Sequence, residues 1–167
     1  LLLPLIGGFQ VSNALCALGV VLASGLDEDA ALAGLVTLKG VRGRMELAGR
    51  QENGAAVYVD YAHTPDALGA ALAALRFHTE NRLHVVLGCG GDRDTGKRPE
   101  MGAVAADLAD QVIVTDDNPR TEDAAAIRKE ILMDSPGAKE IQDRRNAINV
   151  AVASMEAGDV LLVAGKG

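Results

Sequence analysis

The sequence predicts an α/β fold in which a mostly parallel sheet with flanking helices follows a shorter helical part. Two observations predict it. After about residue 50, four short runs rich in β-branched residues and leucine alternate with stretches whose apolar residues recur at helical spacing. Before that point the helical spacing occurs alone. Alternation of strands and helices is typical of parallel sheets, because parallel neighbours need a crossover connection.

The helical part comes first in the chain. Apolar residues recur with helical spacing over residues 9–24, and a glycine follows where a C-terminal cap would fall. A second helix is predicted from Asp27, a plausible N-cap, to about residue 38. Residues 39–46 then break the pattern with two glycines and three basic residues. We therefore predict one unit at residues 1–47 and a second at residues 48–167.

The second unit is predicted to contain four buried strands with helices after them. The strands are expected at residues 55–59, 83–87, 111–114 and 160–164, and the helices at residues 66–77, 98–108, 123–133 and 144–156. Each strand is followed by unusual polar residues or glycines, in the loops at residues 60–64, 88–94, 115–120 and 165–167. Ligands of open parallel sheets bind outside the carboxyl ends of the strands. We therefore expect these loops to form one ligand site.

Composition limits the classes of function. A net charge of −7 argues against a nucleic-acid partner. Two cysteines give no disulfide framework, which indicates a reducing, cytoplasmic location. The apolar start at residues 1–6 is too short to span a membrane, so no membrane insertion is expected. Because the chain lacks an initial methionine and stops directly after a strand, we expect it to be an internal piece of a longer protein.

The run Asp116-Asp117-Asn118-Pro119-Arg120 is the most informative of the four loops. Pro119 fixes its own φ and restricts Asn118, which stiffens the loop. Arg120 can hold a carboxylate bidentately, while Asp117 and Asn118 can take an amine, so the pattern suits a zwitterionic amino acid. A plain turn is the alternative, since Asp, Asn and Pro are ordinary turn residues.

Three further residues could contact a nucleotide. Asp60 ends a strand and could take both hydroxyls of a ribose, and His63 could stack on or bond a base. Arg44 lies between the two units, where it could reach a phosphate. Two of them also have a simpler interpretation, since His63 could be solvated at a helix start and Arg44 could belong to a solvated basic hinge. Asn13 is polar among apolar residues and is either satisfied locally or directed at a ligand.

The glycine-rich loop at residues 88–98 partly fits a phosphate-binding P-loop over Gly91 to Lys97. The fit ends at Arg98, where a P-loop needs Ser or Thr for magnesium, and two aspartates would repel phosphates. A loop with Asp92, Arg93 and Asp94 suits an ampholyte better. Asp110 and Glu122 are expected to be solvated charges at helix ends, and His84 is expected to be structural.

Five motifs in order resemble the Mur ligase family over the whole chain. They are Phe9-Gln-Val-Ser-Asn-Ala-Leu, Gly43-Arg-Met-Glu, Asp60-Tyr-Ala-His-Thr-Pro-Asp, Gly88-Cys-Gly-Gly-Asp-Arg-Asp-Thr-Gly-Lys-Arg-Pro and Asp116-Asp-Asn-Pro-Arg-Thr-Glu. The resemblance is greatest to the members that add meso-diaminopimelate to a UDP-N-acetylmuramoyl dipeptide with ATP. It implies a Rossmann-like C-terminal domain at residues 48–167, truncated at its end, and the last helices of the central ATPase domain at residues 1–47.

The resemblance also implies roles for particular residues. Asn13, Arg44, Asp60 and His63 would bind ATP, whose Mg²⁺ ligands would lie in a missing N-terminal portion. Meso-diaminopimelate would be held by Arg93, Asp117, Asn118, Pro119, Arg120 and Gly165. Family members that add lysine lack the arginine of this motif, so Arg120 would pair with the extra carboxylate of diaminopimelate.

Two departures from the family pattern limit what is carried over. Gln10 stands where the family often has asparagine, and a His-Glu pair expected after Gly167 is absent. The resemblance also implies that the phosphate-binding loop, a modified lysine and the magnesium ligands lie in a missing N-terminal portion, so catalysis by this chain alone is not expected. Two other functions stay open: a ligase like folylpolyglutamate synthetase, and a non-catalytic amino-acid-binding module of the same ancestry.

Overall fold

A six-stranded sheet organises most of the chain. The computed structural model describes residues 3–165. The strands are β1 Glu46–Arg50, β2 Ala56–Asp60, β3 Leu83–Leu87, β4 Gln111–Val114, β5 Lys139–Glu140 and β6 Val160–Ala164. Their order in the sheet is β1-β2-β6-β3-β4-β5. β1 is antiparallel to β2, and the other neighbours pair in parallel, which confirms the predicted fold class.

Six helices accompany the sheet in the described residues. They are α1 Gly8–Ala23, α2 Glu28–Leu35, α3 Pro65–Arg76, α4 Lys97–Leu108, α5 Ala124–Leu132 and α6 Arg144–Ala153. Side chains cap several of them as the sequence indicates. Asp27 accepts a hydrogen bond from Ala30 N at 2.9 Å, and Thr64 accepts one from Ala67 N at 3.3 Å. None of the helices in residues 3–165 is long and apolar enough to cross a membrane.

Helices cover both faces of the sheet. On one face α3, α4 and α5 bury residues such as Leu72, Met101 and Ile131 against alternate residues of β3, β4 and β6. On the other face α6 packs against the remaining residues of the same strands. The central strands are therefore buried on both sides, which explains why their sequences are apolar almost throughout. α1 and α2 pack on each other, and Ile6 and Phe9 contact the first core.

Two strands were not predicted from the sequence. β1 is exposed over most of its length and has a register shift between Leu47 and Gly49, so it lacks an alternating apolar pattern. β5 has two residues, both exposed. Because β1 begins at Glu46 and pairs with β2, the predicted division between residues 47 and 48 falls within this strand.

The carboxyl ends of β2, β6, β3 and β4 are neighbours at one edge of the sheet. The four loops expected to carry the site follow these strands, although Lys166 and Gly167 lie outside the described residues. At the opposite edge of the sheet, buried His84 of β3 meets buried Asp159, the residue directly before β6. His84 Nε2 and Asp159 Oδ2 are 2.8 Å apart. His84 thus has a structural partner away from the loops, as the sequence indicates.

Candidate nucleotide and amino-acid site

A cleft of about 780 Å³ lies between the start of α1 and the start of α3. Asn13, Arg44 and Asp60 line it, so the structure brings together three of the four residues predicted to bind a nucleotide. The rest of its wall is mostly apolar and consists of Phe9, Gln10, Val41, Asp66, Ala67, Ala70 and Ala71. Concave, largely apolar sites with few polar groups are typical of small-molecule and cofactor binding. The dimensions and lining of this cleft fit a nucleotide.

Asp60 is almost fully buried at the end of β2, and its carboxylate is already bonded within the protein. Oδ2 accepts a hydrogen bond from Met45 N at 2.8 Å, and Oδ1 accepts one from Ala62 N at 2.7 Å. Met45 has a left-handed φ of 49°, which is unfavourable for this side chain. The buried carboxylate thus fixes the backbone next to Arg44, a role that the sequence did not reveal. Each oxygen keeps a second lone pair for a ligand.

An exposed stack of side chains borders this cleft. The Arg44 guanidinium carbon lies 5.0 Å from the centre of the Tyr61 ring, within the range of a cation–π interaction. Tyr61 in turn meets the His63 ring edge-on, with 4.8 Å between ring centres. His63 itself is not part of the cleft wall in the described residues. Sequence analysis did not single out Tyr61, although its place between Asp60 and His63 was the available signal.

Asn13 and His63 both have partners inside the protein. Asn13 is exposed on α1, where its side-chain amide donates to Gln10 Oε1 at 3.1 Å. His63 Nδ1 lies 2.9 Å from Tyr61 O, and Lys97 Nζ donates to His63 O at 2.7 Å. Lys97 therefore ties the start of α4 to the loop after β2.

The loop after β4 packs directly on the glycine-rich loop after β3. Gly91 N donates to Asn118 O at 2.9 Å, and Arg120 Nη1 donates to Gly91 O at 2.5 Å. A Cβ on Gly91 would lie 1.9 Å from Pro119 O, so a residue with a side chain would collide with this backbone. Arg120 is held by one of its five N–H groups, and the fixed geometry of the guanidinium orients the other four.

Arg93 and Gly165 lie in different surroundings. Arg93 is exposed in the glycine-rich loop. Gly165 follows β6 with φ 89°, and its N–H donates to Asp60 O at 2.9 Å. A Cβ on Gly165 would lie 3.6 Å from Gly88 O, so this glycine is between the predicted nucleotide residues and the glycine-rich loop.

An ion-pair network around the buried Arg98 supports the two loops. Arg98 has no exposed surface, and it donates to Glu122 at 2.8 Å and to Glu130 at 2.9 Å. The bond from Arg98 is the main cause that lowers the pKa of Glu122. The prediction that Glu122 is a solvated charge was therefore wrong. Asp110 is exposed, as predicted, and its carboxylate also accepts 2.7 Å bonds from Arg76 and from Leu83 N.

Arg144 is a further basic residue that the sequence analysis did not assign to the site. It begins α6, and its Nη2 donates to Ala164 O, at the end of β6, at 2.8 Å. Its Nη1 is buried without a hydrogen-bond partner in the described structure. Burial lowers the pKa of Arg144, and the charge of Asp117 opposes that effect. Its distance in sequence from the predicted loops concealed it.

A narrow crevice separates the loop after β4 from α5. It is lined by Cys89, Thr115, Asp116, Asp117, Pro119, Ala124, Ile127 and Arg128, and it has no room for a water molecule. Asp116 forms an ion pair with buried Arg128, which also donates to Glu140 at 2.7 Å. Burial raises the pKa of the Cys89 thiol to about 11. Asp116 and Cys89 are thus structural parts of this crevice.

The fold and the site define a class of protein, namely α/β domains that bind a small ligand with loops at the carboxyl edge of a parallel sheet. The chain belongs to the Mur ligase family. The family model described as "Mur ligase, glutamate ligase domain" matches residues 43–167. Its first matched residue lies just before β1.

Curated relatives match nearly the whole chain. It is 64% identical over 165 residues to the "UDP-N-acetylmuramoyl-L-alanyl-D-glutamate--2,6-diaminopimelate ligase" of Zymomonas mobilis, with 99% of this chain and 34% of that protein covered. It is 59% identical over 165 residues to the protein of the same name from Caulobacter vibrioides, with the same coverage. The chain therefore spans about one third of the length of these relatives.

Solved structures agree with this assignment. A structure of a ligase of that name matches with a TM-score of 0.73 and 44% identity, covering 100% of this chain and 35% of the other. A folylpolyglutamate synthase from Mycobacterium tuberculosis, complexed with ADP and AMPPCP, matches with a TM-score of 0.75 and 28% identity, covering 98% and 39%. Solved proteins of two different names thus share this architecture, and one of them was solved with adenine nucleotides.

Proposed function

We propose that this chain is the amino-acid-binding part of an ATP-dependent amide ligase of peptidoglycan precursor synthesis in the cytoplasm. The ligase adds meso-diaminopimelate to a UDP-N-acetylmuramoyl-alanyl-glutamate dipeptide. On this proposal residues 1–47 close the central ATP-binding domain and residues 48–167 form the C-terminal domain. The high identity to the diaminopimelate ligases, over almost the whole chain, supports this assignment.

One structural observation supports diaminopimelate as the substrate. Arg120 is fixed on the glycine-rich loop through Gly91 O, at the carboxyl edge of the sheet, and it stays exposed. The proposed role of its remaining N–H groups is to bind the carboxylate that distinguishes diaminopimelate from lysine. Arg93, exposed in the adjacent loop, is proposed to bind a second charged group of the same substrate.

The proposed reaction forms an amide bond. ATP phosphorylates the side-chain carboxylate of the glutamate, and the amine of diaminopimelate then displaces phosphate from the acyl phosphate. Positioning and charge neutralisation supply most of the rate in such phosphoryl transfers. This chain is proposed to deliver the amine and to contribute to the nucleotide site. Arg44 would neutralise phosphate charge, Asp60 would bond the ribose, and Asn13 and His63 would contact the base.

Magnesium is proposed to accompany ATP. Within residues 3–165 no group of three His, Cys, Asp or Glu side chains is placed to hold a metal ion. The family resemblance is the ground for proposing that the ligands of the ion lie in an N-terminal portion of the longer protein. The residues of this chain act on the nucleotide itself.

A ligase like folylpolyglutamate synthetase is the second candidate, because a structure of that name has a comparable TM-score. Its lower identity of 28% makes it the weaker one. An amino-acid-binding module without catalytic activity is a third, but the nucleotide cleft around Arg44 and Asp60 would then have no use.

Calorimetric titration tests the substrate. Meso-diaminopimelate, lysine and glutamate are titrated into the chain and into its Arg120→Ala variant. We expect selective diaminopimelate binding that weakens by about 10- to 100-fold in the variant, as for loss of a charge-assisted bidentate contact. Arg50→Ala, at an exposed arginine of β1, is the matched control and should bind like the wild type. Preference for glutamate would support the second candidate instead.

Activity is tested in a chimera. The matched third of the Zymomonas mobilis relative is replaced by this chain, and phosphate release is measured with the dipeptide substrate, ATP and each amino acid. Diaminopimelate-dependent turnover that Arg120→Ala lowers would support the proposal. A folded chimera that turns over with lysine as well as with diaminopimelate would contradict it.

A further inference from the structure

We propose that Asp92 and Thr121 form a clasp between the two amino-acid-binding loops and act as positioning residues that set Arg93 and Arg120 for the substrate. This inference rests on the proposed function, because Arg93 and Arg120 are assigned to the substrate there. The sequence placed Asp92 in a loop that suits an ampholyte, but neither Asp92 nor Thr121 was assigned a contact with diaminopimelate. Their effect would come through the two arginines that directly follow and precede them in the chain.

Two hydrogen bonds form the clasp. Thr121 Oγ1 donates to Asp92 Oδ1 at 2.6 Å, and Thr121 N donates to Asp92 Oδ2 at 3.2 Å. Both carboxylate oxygens of Asp92 therefore hold a residue of the other loop. In return, Asp92 N donates to the Glu122 carboxylate. The loops are thus bonded in both directions, and the side chains involved lie 29 and 30 positions apart in sequence.

The clasp is anchored in the core. Glu122, which accepts from Asp92 N, also accepts from Arg98 Nη2 at 2.8 Å, and Arg98 is fully buried and bonded to Glu130 on α5. A continuous chain of polar contacts leads from α5 to the exposed Asp92 and Thr121. Because Glu122 cannot leave without removing a partner from the buried Arg98 guanidinium, the exposed end of this chain of contacts is held in place.

The backbone on each side of the clasp is in an unfavourable conformation. Asp92 has φ 52° and Arg120 has φ 51°, in the left-handed region that non-glycine residues rarely adopt. Such conformations persist when surrounding contacts over-determine them, and they cluster at ligand sites. The left-handed turn at Arg120 comes directly before Thr121, so loss of the Thr121 bonds would let this turn relax. Arg120 would then lose the orientation that its bond to Gly91 O requires.

The expected consequence is a loss of preorganisation. Arg93 and Arg120 are long, exposed side chains on separate loops, and a substrate with charged groups at both ends needs them at a fixed separation. Ordering one such side chain on binding weakens affinity by roughly 3- to 10-fold. Because the clasp is exposed, its contribution to stability is small, and its removal should affect binding more than folding.

The test compares three threonine variants by calorimetry with meso-diaminopimelate. Thr121→Val keeps the shape of the side chain and removes its hydroxyl, whereas Thr121→Ser keeps the hydroxyl. Thr37→Val is the control, because it removes a hydroxyl that is bonded to Gly34 O on α2. We expect about tenfold weaker binding in Thr121→Val, wild-type affinity within about twofold in Thr121→Ser, and no change in Thr37→Val. ATP affinity should be the same in all three, because the nucleotide cleft lies elsewhere. Unchanged diaminopimelate affinity in Thr121→Val would overturn the proposal.

Amide hydrogen exchange separates a failure of this inference from a failure of the proposed function. Gly91 N–H, bonded to Asn118 O, reports whether the two loops stay together without any ligand. Faster exchange of this amide in Thr121→Val, with wild-type exchange in the core strands, supports the clasp. Unchanged exchange at Gly91 overturns it, whatever the titrations show. If the wild-type chain binds no diaminopimelate, the proposed function fails, and the exchange rates still decide whether the clasp holds the loops.

Discussion

Substitution of Gly91 by alanine tests the contact between the two loops of the candidate amino-acid site. A Cβ at this position would lie 1.9 Å from Pro119 O and 2.7 Å from Pro119 C. Both atoms are backbone, so no side chain can turn aside. Ordinary contact begins at 3.4 Å, and the loops would therefore have to separate by about 1.5 Å.

The cost follows from the bonds that this separation breaks. Gly91 N loses Asn118 O, and Arg120 Nη1 loses Gly91 O. At about 1 kcal/mol for each bond, the free energy of unfolding should fall by about 2 kcal/mol. For a chain of this length that corresponds to a decrease in Tm of about 4–8 °C. Binding of diaminopimelate should weaken as well, because Arg120 is displaced.

Thermal unfolding followed by circular dichroism measures the effect, with Gly69→Ala as the control. Gly69 lies in α3, and a Cβ there would meet Val104 Cγ1 at 3.6 Å, an ordinary contact. Alanine favours helices, so this control should gain roughly 0.5–1 kcal/mol. If Gly91→Ala unfolds at or above the wild-type temperature, the close approach of the two loops is refuted.

Three further predictions concern the core and the titrating groups. Leu72→Ala, at a fully buried position of α3, should lower the free energy of unfolding in urea by about 2–5 kcal/mol. Leu26→Ala, at an exposed position, should lower it little. Equal losses of stability in the two variants would contradict the described core. Burial alone would raise the pKa of Asp159, but bonds from Glu156 N, Arg82 N and His84 outweigh it and lower that pKa. The charged carboxylate thus stabilises the fold at pH values above its ordinary pKa of about 3.8. This contribution is lost as the pH falls through the lower pKa that Asp159 has in the folded protein. Asp159→Asn should therefore have a lower free energy of unfolding than the wild type at neutral pH, and this difference should shrink in acid. A difference that stays constant with pH would contradict the prediction. At pH 8 a thiol reagent should modify the exposed Cys16 in the native protein. It should spare Cys89, whose pKa is raised to about 11, until the protein unfolds. Rapid modification of both thiols in the native protein would be inconsistent with a buried Cys89.

Most of the sheet could be predicted from the sequence because its central strands are buried on both faces. β3, β4 and β6 are short apolar runs whose observed bounds equal the predicted ones. β1 and β5 escaped prediction because edge strands need no apolar pattern. The register shift at Gly49 and the two-residue length of β5 removed the remaining signal.

The location of the candidate site was predictable, but most of its internal contacts were not. The rule that ligands bind at the carboxyl ends of parallel strands needs only the order of strands and helices. The bond from Met45 N to Asp60 and the burial of Arg98 depend on distances between loops that no local pattern fixes. Glu122 illustrates the difference, because a carboxylate near a helix start is usually solvated and here contacts a buried guanidinium.

The position of β6 has a consequence for how the protein folds during synthesis. β6 follows the other described strands in sequence but lies between β2 and β3, which do not pair with each other. Until residues 160–164 leave the ribosome, β1 and β2 form one part of the sheet and β3, β4 and β5 form another, and each part exposes an apolar edge. Contacts between distant parts of a chain form slowly, and open strand edges pair readily with other molecules. We therefore expect the open edges of β2 and β3 to be most prone to aggregation before β6 is complete.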